Sequence, residues 1–275
     1  MKLYRNVTGL DGKRGWIETK PEVVSNIVDN YIWADIWEKK YYLNYEELYA
    51  NGHTTPKQIP ESELDEIATG KASSLPGKRL LTVGTDKGIS KLSTALELYR
   101  AAQQQEIESL FLATGPAGLA IAGDGVPLDA VRIDFAAGAV EKMILDFADE
   151  YFLLIIEGQG SLFHPGSTAT LPLIRGCQPT DLVLVHRAGQ KHLLDFPDIP
   201  IPPLTEAIEL HENLASAAGI FREVKVKGIA LDTTHLSQVN AEEQIKTVTE
   251  ETGLPCTDVV RFGAEKLLSQ VMSVL

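Results

Sequence analysis

Residues 81–94, Leu-Thr-Val-Gly-Thr-Asp-Lys-Gly-Ile-Ser-Lys-Leu-Ser-Thr, constrain this chain more than any other stretch. A short apolar run ends in a glycine-bearing turn, and a lysine followed by hydroxyl residues opens an amphipathic helical pattern. Successive backbone N–H groups at a helix start, aided by the helix dipole, form a concave anion site. Lys91 adds a positive charge to it, and Ser93 and Thr94 add hydroxyls. The stretch predicts a phosphate-holding strand–loop–helix unit with Gly84, Thr85, Asp86, Gly88, Lys91, Ser93 and Thr94 as ligand contacts. It departs from the strict pattern G-x-x-x-x-G-K-[ST] at three points. Ser90 stands where glycine is expected, Leu92 where a hydroxyl is expected, and Gly84 sits one position early.

From residue 79 onward, short apolar runs at 79–83, 110–113, 152–156, 182–185 and 226–231 alternate with helical patterns. After the first run, Leu92, Ala95, Leu96, Tyr99 and Ala102 share one helical face. A long helical pattern covers residues 128–150, and another begins near Ala241 with Asn240 as cap, Glu243 three residues on and Gly253 past its end. Such alternation predicts an α/β fold: a mainly parallel sheet with helices on both faces and ligands at the carboxyl ends of its strands. Polar residues gather there, in GTDKGISK, TGPAG, EGQGSLFHP, HRAGQK and DTTH.

A compositional boundary lies just before this region. All three tryptophans and most tyrosines precede residue 75, while all eight phenylalanines follow it. Residues 1–72 are accordingly expected to form a small aromatic-rich module and 73–275 the α/β domain. Within the first, Trp33, Trp37, Tyr41, Tyr45 and Tyr49 recur every four residues, which on a helix makes one slowly drifting stripe.

Candidate chemistry follows from the strand ends. Glu157 terminates an apolar strand and precedes Gly-Gln-Gly, a position suited to a Mg²⁺ ligand, with Ser93 as partner, or to a catalytic carboxylate. Asp124 lies between two glycines and, with Asp129, Asp134 and Asp86, forms an acidic group. His164, in Gly-Ser-Leu-Phe-His-Pro-Gly, is a candidate general base. Arg187 is a candidate anion clamp. His186, His192 and His211 lack the spacing of a zinc site.

The net charge of −13 argues against nucleic acid or an anionic membrane as partner. The two cysteines, Cys177 and Cys256, form no C-x-x-C pair and fit a reducing cytoplasm. No apolar run reaches the roughly 18 residues of a membrane span.

Taken together, VGTDKGISKLSTALEL, IAGDGVPLDAVRIDFAAGAVE, EGQGSLFHP and GLPCTDVVRFGAEKLL resemble the carboxyl-terminal domain of a bacterial family of unknown function that includes the D-glutamate N-acetyltransferases. The resemblance runs from about residue 79 to 270. More remotely, GTD before a lysine-led helix, with EGQG, is similar to dethiobiotin synthetase and its phosphate-loop relatives. This likeness implies a sheet of P-loop NTPase type, Lys91 and Ser93 on phosphate, Glu157 on metal or in catalysis, and Asp232 to Thr234 where a nucleotide base is recognised. The chain departs from the family at Ser90 and Leu92, at Arg187 and Ala188, at Asp232, and in its amino-terminal residues.

The nearer likeness implies transfer of an acyl group from acetyl-CoA or another acyl-CoA to the amine of an amino acid resembling D-glutamate. The remoter one implies an ATP- and Mg²⁺-dependent kinase or ligase. A third expectation is a non-catalytic nucleotide-binding partner subunit. A cytoplasmic homo-oligomer acting on a small molecule is expected.

Overall fold

The structure is a computed structural model that describes residues 67–273 in full and, before them, the backbone of four short strands. β1 (Leu3–Thr8) pairs antiparallel with β2 (Arg14–Thr19), and β3 (Ile32–Ile36) with β4 (Lys39–Leu43). The aromatic spacing expected to lie on a helix therefore falls, at Trp33 and Tyr41, on two antiparallel strands. Aromatic and β-branched residues favour the pleated conformation, and here that preference prevails over a four-residue coincidence. Trp37, Tyr45 and Tyr49 lie outside the described residues.

The α/β region is built on a six-stranded sheet in the order β10-β9-β8-β5-β7-β6, parallel throughout. Its strands are β5 (Lys78–Gly84), β6 (Ser109–Leu112), β7 (Leu153–Ile156), β8 (Asp181–Arg187), β9 (Lys225–Asp232) and β10 (Cys256–Thr257). The helices are α1 (Lys91–Gln104), α2 (Pro116–Ala122), α3 (Ile133–Phe147), α4 (Thr170–Cys177), α5 (Leu204–Ser216), α6 (Gln238–Thr252), α7 (Val259–Phe262) and α8 (Glu265–Met272).

The order explains which face each helix covers. From β5 the chain moves two places along the sheet to β6, then reverses through β7, β8, β9 and β10. Right-handed crossovers put connections of opposite direction on opposite faces. Alternate strand residues divide accordingly. Leu80, Ile155, Val183 and Ala230 pack with Ala95, Leu98 and Ala102 of α1 and Leu267 and Val271 of α8. Leu81, Ile156, Leu184 and Leu231 pack on the other face with α3, α4, α5 and α6 through Val140, Ile174, Ala207 and Val248. Both strand faces are buried, so the strands read as apolar runs rather than as alternation.

Two expected details shift. The long helix resolves into a short 3-10 turn at Leu128–Ala130 followed by α3. The last long helix is capped by Ser237, whose Oγ accepts from the Asn240 N–H at 3.3 Å, three residues earlier than expected; Gly253 ends it in the left-handed conformation, as the pattern indicated. No helix among the described residues is long and apolar enough to cross a membrane.

Candidate functional site

Because all six strands are parallel, their carboxyl ends share one rim, and the loop after central β5 sits at its middle. Gly84 ends β5, and a Cβ there would stand 3.1 Å from Lys91 Cδ and 3.2 Å from Nζ, so the absent side chain is the space through which Lys91 folds back. Lys91 Nζ donates to the carbonyl oxygens of Asp86 (2.7 Å) and Lys87 (2.9 Å). Burial lowers its pKa to about 7, against the raising influence of Asp86 and Glu157. The first-turn N–H groups of α1 lack intrahelical acceptors by construction and open onto the same loop.

Ser90 caps α1 at φ 44°, ψ 23°, in the left-handed region. This is the position where the phosphate-loop pattern carries glycine, and the backbone shows why. The serine Oγ donates a 3.0 Å hydrogen bond to Asp232 Oδ2. Gly88 is exposed, and a Cβ on it would meet nothing within 4 Å.

Asp86 is buried and fully engaged. Its Oδ1 accepts from the Lys87 N–H at 2.6 Å, and its Oδ2 from Gln190 Nε2 (2.6 Å) and the Leu194 N–H (2.9 Å). Residues 188–203, between β8 and α5, are thereby tied to the phosphate loop; they form a hairpin of their own, with Ile201 N–H donating to Lys191 O at 2.8 Å. Thr85 Oγ1 lies 2.8 Å from His186 Nδ1, whose ring burial holds near pKa 4.

Glu157 follows the end of β7, within electrostatic reach of Lys91. Its Oε2 accepts from the backbone N–H groups of Thr114 (2.9 Å) and Gly115 (3.1 Å), where β6 turns into α2. Burial pushes its pKa up to about 7, against the lowering effect of those two N–H groups and of Lys91. Gly118 leaves room for it: a Cβ there would lie 2.2 Å from Oε2. Lys91 and Glu157 are thus two buried ionisable groups that feel one another's charge, each with its pKa brought by burial to about 7.

The remaining predicted residues divide among three places. Ser93 and Thr94 line a small cleft with Ser90, Asp232, Thr234 and Val260. Burial acts to raise the Asp232 carboxyl, but bonds from Thr234 and Ser90 and the charge of Arg187 hold it below its ordinary value. Asp124 stands on a turn beside the end of β6, where its carbonyl accepts from the Ala113 N–H at 3.0 Å. The charge felt by Lys91 comes from Asp86 and Glu157, and Asp124 is felt instead by the Tyr99 hydroxyl. His164 is buried beneath the 188–203 hairpin, and its Nδ1 accepts from the Gly166 N–H at 3.1 Å. With Nδ1 accepting, Nε2 carries the proton and is the donor this imidazole presents. His186, His192 and His211 are, respectively, bonded to Thr85, exposed, and buried against Phe163.

Sequence reasoning missed Asp258, whose Oδ2 accepts from the N–H and Oγ1 of Thr233 and whose Oδ1 caps α7, so that it fixes the loop after β9. Its signal was legible as an aspartate before an apolar helix start. Gln190 and the Leu194 N–H carried no such signal, because only tertiary folding brings them to Asp86.

A protein-held Mg²⁺ does not fit this donor set. Leu92 occupies the hydroxyl position, and Ser93, about 200° around the helix from Lys91, lines the Asp232 cleft instead. Among the described residues no three His, Cys, Asp or Glu side chains gather as a metal site.

Residues 66–268 match the family described as a domain of unknown function, DUF1611, carboxyl-terminal P-loop domain. The chain belongs to this family. A crystal structure of a DUF1611 family protein from Anabaena variabilis shares 60% identity and a TM-score of 0.74, covering 75% of this chain and 60% of that one. A D-glutamate N-acetyltransferase from Tritonibacter scottomollicae is 42% identical over 199 residues, covering 72% of this chain and 59% of the relative. A second protein of that name, from a Pseudoalteromonas species, is 38% identical over 231 residues, covering 83% of this chain and 69% of the relative. The DUF1611 P-loop assignment agrees with the parallel sheet and with a phosphate loop after its central strand.

Proposed function

We propose that this DUF1611 protein is an N-acyltransferase that moves an acyl group from a coenzyme A thioester to the amine of an acidic amino acid of the D-glutamate type. The observation that carries the reading is that Lys91 and Glu157 are both buried with pKa values brought to about 7, at a loop that has Leu92 in place of a metal-binding hydroxyl. That combination suits an anionic donor held without a cation, together with a base that works near neutral pH. The likeness to named D-glutamate N-acetyltransferases supplies the reaction class.

In this reading Lys91 and the first-turn N–H groups of α1 bind the phosphates of the donor. Ser90, Asp232 and Thr234, at the margin of the same loop, are assigned to its nucleoside end in this reading. Glu157, ionised, takes a proton from the substrate ammonium, and the freed amine attacks the thioester carbonyl carbon. The carbon–sulfur bond then breaks, and the coenzyme thiolate leaves and takes up a proton. The products are an N-acyl amino acid and the free thiol.

Calorimetric titration with acetyl-CoA and with ATP, each with and without Mg²⁺, tests the donor. Release of free thiol in the presence of D-glutamate tests the transfer. Mg²⁺-independent acetyl-CoA binding with D-glutamate-dependent thiol release is expected. Binding of ATP only with Mg²⁺, with no thiol release, overturns the proposal in favour of phosphoryl chemistry.

A further inference from the structure

We propose that His164 recognises a carboxylate of the acceptor substrate, and that Asp195 occupies the place of that carboxylate in the unliganded protein. The inference rests on the acyl-transfer reading and names how its acceptor is chosen. It begins from a buried donor without an acceptor. The His164 side chain is 4% exposed, and its Nε2 has no hydrogen-bond partner. Since Nδ1 accepts from the Gly166 N–H at 3.1 Å, Nε2 bears the proton and its direction is fixed by the loop rather than by a ligand. Buried donors are nearly always satisfied in folded proteins, so one left open points to a missing acceptor.

The group closest to serving as that acceptor identifies the chemistry. Asp195 Oδ2 stands 3.6 Å from His164 Nε2, beyond hydrogen-bond length, on a side chain 71% exposed. A carboxylate is thus already stationed in front of the donor, without the bond and without being held by burial. Phe196, the next residue, sets its ring edge-on against the imidazole at 5.2 Å and closes one side.

The place is joined to the phosphate loop. The Leu194 N–H, immediately before Asp195, donates to Asp86 Oδ2 at 2.9 Å. One residue of chain spans about 3.5 Å, so a ligand replacing Asp195 lies next to the loop that Lys91 completes. His164 also descends from the loop that Glu157 begins, and the Ser161 N–H bonded to Ser167 Oγ at 2.9 Å keeps that loop closed. A substrate carboxylate on His164 is thus held by the same loop that carries Glu157, seven residues earlier.

The test uses the full chain and glutarate, a five-carbon dicarboxylate that has no amine and cannot be acylated. With ¹⁵N-labelled histidine, glutarate should shift the His164 Nε2–H signal downfield, as a donor gaining a charged acceptor does. His164→Leu should weaken glutarate binding at least tenfold, whereas His164→Gln, whose amide nitrogen donates from nearly the same place, should retain most of it. Asp195→Ala should tighten glutarate severalfold by removing the internal competitor. Equal losses in the Leu and Gln variants, or no tightening in Asp195→Ala, overturn the proposal. So does a His164 signal that responds to inorganic phosphate and not to glutarate. Because glutarate is inert to acylation, a failed transfer assay with an intact glutarate response sinks the reaction assigned above and leaves this recognition standing.

Discussion

At Lys91 a single proton links ligand, loop and stability. The buried amine has its pKa near 7, well below the ordinary 10.5, because burial outweighs the help of Asp86 and Glu157. A phosphate-bearing ligand requires the charged form. Affinity for acetyl-CoA should therefore fall as pH rises above 7, by up to about tenfold per unit, as the free site loses its proton. Calorimetry at successive pH values checks this, and a flat profile would remove Lys91 from the anion site. Lys91→Met should bind at least tenfold more weakly at neutral pH and lose the pH dependence. In the unliganded protein the sign reverses. Between about 7 and 10.5 the unfolded lysine holds a proton that the buried one has lost, so stability contributed by this residue rises with pH across that window. The identity of Lys91 was plain in the sequence; its depressed pKa was not, since it depends on the burial of the amine against the turn at Gly84, Asp86 and Lys87.

At the level of elements, close approach decides which glycines matter. Gly118→Ala would put a methyl group 2.2 Å from Glu157 Oε2 and force it off the Thr114 and Gly115 N–H groups. A loss of about 1–3 kcal/mol, read as a lower thermal midpoint, is expected together with loss of turnover. Gly88→Ala, with nothing within 4 Å, should cost under about 0.5 kcal/mol on the same scan. The two glycines look alike in sequence and differ only through what folding brings near them. The same division marks what was legible overall. Strands β5 to β9 announced themselves as apolar runs because both their faces are buried. β10, only Cys256 and Thr257, is too short to leave a pattern. The cap at Ser237 was missed because Asn240 and Glu243 imitate the same signal one turn later. The unusual Ser90 reads as a defect until its left-handed backbone and its bond to Asp232, 142 residues away, are seen together.

For the molecule as a whole, the described residues form two apolar clusters between residues 72 and 271, on the two faces of one sheet. The segment entering this core is pinned by Glu141, which accepts from the Thr69 N–H at 2.6 Å and from the Ala72 N–H at 3.4 Å. A fragment beginning at residue 67 should therefore fold with a single cooperative thermal transition and bind acetyl-CoA. A fragment that fails to fold would show that residues before it complete the core. The sheet order carries one more consequence, for the birth of the protein rather than its chemistry. β5, the strand that aims the phosphate loop, is the first of the six to be made yet lies inside the sheet, between β7 and β8. The N–H of Arg79 finds its acceptor in Thr180, 101 residues later. During synthesis both edges of β5 must stay unpaired while the intervening chain is made, so assembly depends on distant contacts, a topology that folds slowly and whose intermediates expose an apolar strand to aggregation.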